Sequence, residues 1–503
     1  MSRLSPETRI WPARGGKPLA PAGVRAAVIG GGIAGVAAAT TLVEHGVQVT
    51  LFEREPALGG RAGGFAKTLA TGETIEMERG FHAFFRQYYN LRALLQRIDP
   101  TLSVLAPLTD YPILGPEGMV QGFKDLPTRP PFQVMALAWR TPYLRARDLP
   151  NVGAAAALEM LRYDATRTYA RWDNQSAADY LDSLAFPESA RRMLFDVFSH
   201  SFFNPERELS AAELLMMFHF YFLGNPEGLV FDVVRRPLSA ALWAPFERWL
   251  TERRVELHLQ TKVERIERRR GRGFRIFHDH TSTETDLLVL ALDVGSLATV
   301  LRASPDLALE SILPALRPTS PFAVWRLWLD RPARADRAPF AGTTGIGILD
   351  NISVYERLQD ESAAWRAKHG GSVIELHAYA VPPGMSEPTI RQDLLAGLHK
   401  LYPELREARV LDECFLLRQD CPAFDVGMHQ TRPSVATGSS DLALAGDFVS
   451  VPIPCALMER ATVSGTLAAN RLLASYGVRA APVRSVPSTG LFALPRWRSS
   501  HAA

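Results

Sequence analysis

Apolar positions near the start of the chain fall in two short runs with a helical stretch between them. Residues 24–29 read as a buried strand, 34–44 as an alanine-rich helix that stops near Gly46, and 47–52 as a second strand closing on Glu53. Strand, glycine turn, helix and strand in that order predict a βαβ unit. Residues 26–43 are also 18 positions without a charge, close to the length that crosses a bilayer. Glycines interrupt that stretch after its first few residues, so strand, turn and helix is the better reading. A glycine-rich loop follows at 59–64.

Past about residue 100 the pattern changes. Proline-rich loops at 127–150 and an aromatic helical patch at 214–223 predict an inserted second domain over 101–240. Strand signals at 255–266, 274–278 and 287–292 predict that 241–300 returns to the first domain. Residues 301–430 mix strands at 323–329 and 373–380 with a helix at 389–401, and are assigned to the second, substrate- and membrane-facing domain. A strand at 442–447 and a helix at 457–474 bring the chain back, so the first domain is discontinuous: 25–100, 241–300 and 431–475. Residues 1–24 read as a flexible leader and 476–503 as a loose tail.

Composition narrows the class without naming it. A chain of 503 residues suits two or three packed domains, and 47% hydrophobic with 22% charged residues is an ordinary globular balance. The formal net charge of +3 lacks the concentrated basic footprint of a nucleic-acid protein. Three cysteines, Cys414, Cys421 and Cys455, are too few for a disulfide framework, and no apolar signal segment stands in 1–24. Both points predict a reducing, cytoplasmic setting. No histidine stands at zinc spacing from Cys414 and Cys421, so no metal is expected.

The chemistry begins at the first turn. Gly30, Gly32 and Gly35 meet the pattern G-x-G-x-x-G between strand and helix. The first makes the turn, the second lets backbone approach a pyrophosphate, and the third lets helix pack on strand. Helix amides then face the phosphates with favourable dipole sign. Glu53, ending the second strand, suits the ribose hydroxyls. This much specifies a dinucleotide and leaves NAD and FAD open.

Leu58-Gly59-Gly60-Arg61-Ala62-Gly63 resembles the second motif of the flavoprotein group that contains amine oxidases and phytoene desaturases. Leu442 to Asp447, followed by Met458 to Gly465, resembles that group's C-terminal signature. The resemblance implies FAD as cofactor. It implies an α/β (α+β) fold with a Rossmann-type FAD-binding domain of the glutathione-reductase/amine-oxidase kind and an inserted mixed substrate domain. It places Gly60, Arg61, Gly446, Asp447 and Thr462 at the cofactor, with Val263 where strand backbone meets adenine.

Three aromatic blocks are more specific: Arg79 to Arg92, Phe198 to Phe203 and Met217 to Gly224. They resemble the carotenoid ring-aromatising desaturase/methylases, the isorenieratene synthase family, over about residues 25–470. That resemblance implies conversion of the β-ionone ring of a carotene to an aromatic ring by hydride abstraction to flavin, 1,2-methyl shift and proton loss. Some relatives carry a Rieske module, and no Cys-x-His pair exists here to build one, so the electron acceptor stays open. Phe81, Phe84, Phe85, Phe218, Tyr221 and Phe222 suit a cation-stabilising wall, and equally suit core packing. His82, His200 and His219 are candidate bases, with His82 first because it adjoins the flavin loop. Arg86 suits ring positioning or a carboxylate pair. The interleaved apolar and arginine residues of 131–150, including Phe132, Met135, Trp139 and Arg140, suit docking at the inner face of a membrane as well as a solvated loop. Alternatives in the same group are a linear-carotene desaturase, an FAD amine oxidase and a non-catalytic carotenoid-binding flavoprotein.

Overall fold

The computed structural model describes residues 8–11, 13–108, 110–124, 126–127 and 129–492. At its centre is a parallel five-stranded sheet in the order Glu256–His258, Gln48–Phe52, Arg25–Ile29, Leu287–Leu290, Leu442–Leu444. These strands are apolar almost throughout because helices and loops cover both faces, as parallel sheets require. Residues more than 400 apart in sequence thus become near neighbours across a few strands.

The helix Ile33–Glu44 lies against the sheet and packs on the long helix Leu457–Ala474. Alanines dominate its buried face, which lets the two axes approach closely. Gly35 shows how close the packing is: a Cβ there would stand 1.8 Å from the Gly30 carbonyl oxygen. The third glycine of the motif is therefore fixed by contact between the helix and its own turn.

Two of the strands between residues 255 and 278 stand outside this sheet. The predicted run 255–266 divides into Glu256–His258, at the sheet edge, and Val263–Arg268. The latter pairs with Phe274–His278, which pairs in turn with Thr281–Thr285, giving a separate antiparallel sheet. Thr261 N–H donates to the Glu53 carbonyl at 2.8 Å, so the chain turns at that point and leaves the parallel sheet.

A seven-stranded mixed sheet forms the second layer, in the order Val410–Arg418, Phe322–Leu329, Ser372–Ala378, Asn351–Val354, Phe340–Thr343, Ile113–Leu114, Val120–Gln121. Its central strands are buried on both faces. One face packs on the helix Glu387–Leu401 through Ile374, Leu376 and Leu394. The opposite face turns toward the parallel sheet and closes a cavity between the two layers. The helix Ala211–Phe218, which passes into π-helix over His219–Leu223, lines its side through Met217 and Tyr221.

The segments expected to be a loose leader and tail pair with each other. Arg9–Trp11 forms an antiparallel ladder with Val483–Ser485, and Asn90 Nδ2 donates to the Arg484 carbonyl at 2.7 Å. Residues 1–7, 12 and 493–503 of those segments lie outside the described residues. Among the described residues no helix is long and apolar enough to cross a membrane.

Candidate functional site

A single cavity of about 650 Å³ runs between the layers, lined by the first two glycine motifs, the end of the third and the aromatic block after residue 80. Its polar end is built where four parallel strands finish, the usual position for a ligand in an open α/β sheet. Gly30, Gly32, Glu53, Gly60, Arg61, Val263, Gly446 and Asp447 all line it. Gly35 does not, since it works behind the turn.

Elementary chemistry at this end matches a dinucleotide. Helix Ile33–Glu44 starts at Gly32 with no side-chain cap and no acidic residue in its first turn, so its positive end is left for an anion. A Cβ on Gly32 would meet nothing nearer than Gly60 Cα at 3.9 Å, so room stands open in front of the helix. Glu53 Oε2 accepts from Gly31 N–H at 2.6 Å and Oε1 from Glu55 N–H at 2.9 Å. Burial raises the Glu53 pKa from its ordinary value despite those bonds. Its carboxylate thus braces the glycine turn as well as facing the cavity, a task the sequence pattern did not suggest.

Arg61 and Asp447 meet across the cavity wall, Nη2 to Oδ1 at 2.6 Å. Burial works against the guanidinium charge, and the neighbouring acidic groups, Asp447 foremost, together outweigh it, so the Arg61 pKa stands above its ordinary value. Arg61 also raises no conflict with Cys421, whose thiol burial pushes up to about 12 and keeps neutral. Room, uncapped helix, strand-end carboxylate and a paired cation together fit the pyrophosphate and ribose of an FAD.

The sequence-predicted catalytic residues separate. His82 lines the cavity, its ring meets the backbone of Gly80 and Arg61, and its Nδ1 has no partner among the described residues. Burial lowers its pKa. His219 lies outside: Nε2 bonds the Pro487 carbonyl at 2.7 Å, the ring stacks on Tyr163, and burial lowers its pKa to about 4. Arg86 also lies outside, held 2.9 Å from Asp232 in an ion pair that Arg92 shares. Thr462 is corrected in the same way, because helical geometry turns its hydroxyl back to the Met458 carbonyl at 2.9 Å, and Met458 and Ala461 face the cavity instead. His200 is bonded to Asp350 at 2.8 Å, away from the cavity wall.

The aromatic block divides by side. Phe81, Phe85 and Tyr221 line the cavity, joined by Tyr111, Phe231 and Phe340. Phe84, Phe218 and Phe222 do not, and the last two stack on each other at 4.8 Å between ring centres. Strand alternation explains Phe84 against Phe85, since adjacent residues of a strand point to opposite faces.

Sequence reasoning missed the polar group on the seven-stranded sheet. His377 and Tyr379 line the cavity. Behind them, His377 Nε2 bonds Glu375 Oε1 at 2.8 Å, and Arg326 reaches Glu375 Oε2 with Nε at 2.8 Å and Nη2 at 2.6 Å. Arg326 stands opposite Glu375 in the strand register. A readable signal existed: Glu375, His377 and Tyr379 occupy alternate positions in an otherwise apolar run, and Arg326 is the one charge in Phe322–Leu329.

Relatives agree with this construction. The model of the family described as flavin containing amine oxidoreductase matches residues 33–473. A carotenoid phi-ring synthase of Streptomyces griseus is 48% identical over 473 residues, covering 93% of this chain and 92% of that protein. A second carotenoid phi-ring synthase, from Chlorobaculum tepidum, is 28% identical over 93% of this chain and 91% of its own. Among solved structures, putrescine oxidase bound to putrescine superposes with a TM-score of 0.61 at 13% identity, covering 90% of this chain and 99% of that one, which speaks for the fold. The chain therefore belongs to the flavin containing amine oxidoreductase family, in its carotenoid ring-aromatising branch, and is an FAD-dependent oxidoreductase.

Proposed function

We propose that this enzyme converts the β-ionone ring of a carotene to an aromatic ring, by removal of hydride equivalents, a 1,2-methyl shift and proton loss. The observation that carries this reading is the continuity of the cavity, which passes from the Gly32, Arg61 and Asp447 end directly into an aromatic end. Support also comes from the 48%-identical relative, a carotenoid phi-ring synthase.

Gly30, Gly32, Glu53, Gly60, Arg61, Val263, Gly446 and Asp447 would hold FAD. When bound, FAD supplies the acceptor for the electron pair and hydrogen of each C–H bond oxidised. The rest is the work of the protein's own residues. A ring bearing two methyls on one carbon cannot become aromatic until one methyl moves, and the move needs an electron-deficient neighbour. Phe81, Phe85, Tyr221, Phe231 and Phe340 present aromatic faces to that charge, and such faces favour a cation by about 0.5–2 kcal/mol each. They also exclude water that would otherwise capture it. His82 stands at the junction of the two ends, where its ring completes the wall.

A carotene must be taken from lipid. Helix Phe132–Arg140 exposes Phe132, Met135 and Trp139 at helical spacing, Trp139 to 86%. Its opposite side buries Leu137 in the same apolar cluster as Tyr111 and Phe231 of the cavity wall. The exposed face, with Arg140 beside it, suits the interfacial region of an anionic bilayer. This helix would link the membrane surface to the cavity.

The test is expression in cells that accumulate β-carotene, followed by chromatography of the pigments. Carotenoids with one or two aromatic rings are expected. Recovery of β-carotene with its rings unchanged would overturn the proposal.

A further inference from the structure

Aromatising one such ring removes two hydrogens with their electron pairs and two as protons, so the site needs a proton acceptor as well as an electron acceptor. The strand Ser372–Ala378 is buried along its whole length, and Glu375 and His377 lie on one face of it, two residues apart. Tyr379 continues the alternation just beyond the strand end. Of the three, His377 and Tyr379 reach the cavity, beside Phe81, Phe322, Val324 and Phe340.

The hydrogen bonds fix the direction of this chain of groups. Asn351 Nδ2 donates to Tyr379 Oη at 2.7 Å, and Oη stands 3.1 Å from His377 Nδ1. Glu375, an ionised carboxylate, can only accept, so the imidazole hydrogen resides on Nε2 and is donated to Oε1 at 2.8 Å, in preference to Nε2 accepting from the Phe81 N–H 3.5 Å away, and Nδ1 is left to accept from the phenol. The other carboxylate oxygen is taken by Arg326. Burial opposes ionisation of Glu375, but the Arg326 guanidinium and His377 outweigh it and hold its carboxyl at about 2. Gly80 makes room for the imidazole: its φ is 116°, and a Cβ there would stand 2.8 Å from His377 Cε1.

We infer that Tyr379, His377 and Glu375 form the relay that accepts the proton lost from the substrate ring, with Tyr379 Oη as the atom that meets it. The inference rests on the ring-aromatising reading above. In the step, a ring C–H bond of the cation breaks and its electron pair stays in the ring as a new π bond. The proton bonds to Tyr379 Oη while the phenol hydrogen passes to His377 Nδ1. The ring ends neutral, the tyrosine is regenerated, and the positive charge resides on an imidazolium already bonded to the Glu375 carboxylate. This is the nucleophile–imidazole–carboxylate logic of acid-base triads, with a carbon acid in place of a carbonyl. Tyr379 and His377 are then catalytic residues, and Glu375 and Arg326 are positioning residues.

The test uses the FAD-loaded enzyme and β-carotene in detergent, comparing wild type with Tyr379→Phe and His377→Gln, once anaerobically without an added acceptor to follow the flavin and once with excess benzoquinone to reoxidise the flavin between the two hydride removals. Flavin bleaching reads electron removal, and chromatography reads aromatic product. Both variants are expected to bleach the flavin to the wild-type extent while aromatic product forms at least ~100-fold more slowly, with non-aromatic ring products in its place. Aromatic product at the wild-type rate in both variants would overturn the relay alone. Failure of the wild type to bleach with β-carotene overturns the ring-aromatising reading and the relay with it. A readout independent of turnover is proton NMR of the histidine-labelled chain. A strongly deshielded Nε2 proton is expected in wild type and Tyr379→Phe and is lost in Glu375→Gln. Its absence from wild type would overturn the dyad.

Discussion

Glu78 is fully surrounded by protein, at the end of strand Thr74–Glu78. Its Oε1 accepts from Leu238 N–H at 3.1 Å, Oε2 is bonded by the Tyr355 hydroxyl, and the Arg326 guanidinium stands 4.0 Å away, shared with Glu375. Burial raises its pKa to about 7, because Arg326 is already committed to the nearer carboxylate. A carboxyl whose folded pKa lies above its ordinary 4.5 contributes stability that is fully present below pH 4.5 and lost as pH rises through about 7. The linked free energy is on the order of 3 kcal/mol. Glu78→Gln keeps an acceptor for Leu238 and cannot ionise. Denaturant midpoints measured across this window are expected to fall with rising pH in wild type and to flatten in the variant. An equal slope in both would show that Glu78 does not titrate there.

At the scale of elements, the contact between helix Ile33–Glu44 and its turn is the most sensitive point. Gly35→Ala places a carbon where the Gly30 carbonyl oxygen now stands, and overpacking of this kind costs about 1–3 kcal/mol. Lower thermal stability and a lower ratio of flavin to protein absorbance are expected in the purified variant. Normal values for both would mean that the turn can shift without loss. The same elements show what the sequence reveals and what it conceals. The βαβ unit, the helix 457–474 and the strand 274–278 were legible because their apolar periods are clean and glycine punctuates them. So were Arg61 and Asp447, which lie inside motifs. The sheet to which 263–268 belongs was not legible, since pairing depends on where the chain turns at Thr261 rather than on its own pattern. His219 was misread for a related reason: a histidine in an aromatic run gives no sign of which side of the helix it occupies, and here a tail carbonyl claims it. The Glu375–His377–Tyr379 alternation was visible but meaningless until the register set Arg326 opposite Glu375.

For the molecule as a whole, the exposed face of helix Phe132–Arg140 sets an orientation. Phe132, Met135 and Trp139 project together, while no comparable cluster of exposed aromatic residues occupies another helix among the described residues. Replacing all three with serine is expected to abolish sedimentation with anionic vesicles and to raise the apparent KM for carotene delivered in vesicles. kcat for carotene delivered in detergent is expected to hold. Unchanged vesicle binding would assign membrane contact to another surface. Ion pairs buried between segments, such as Arg460 and Arg432 with Glu213, lock the third motif to the side wall.

The parallel sheet has one more consequence, and it concerns how the enzyme is made. Its edge strand Leu442–Leu444 and the Asp447 that pairs with Arg61 are synthesised more than four hundred residues after the glycine turn they complete. Contacts of such long sequence separation form late, because the loop between them must close first. While a nascent chain is still on the ribosome, the Gly30 turn and its uncapped helix therefore wait with half a binding site. Cofactor capture belongs to the period after the last helix emerges, and in a flavin-starved cell the unfinished apoprotein is the species exposed to chaperones and proteases.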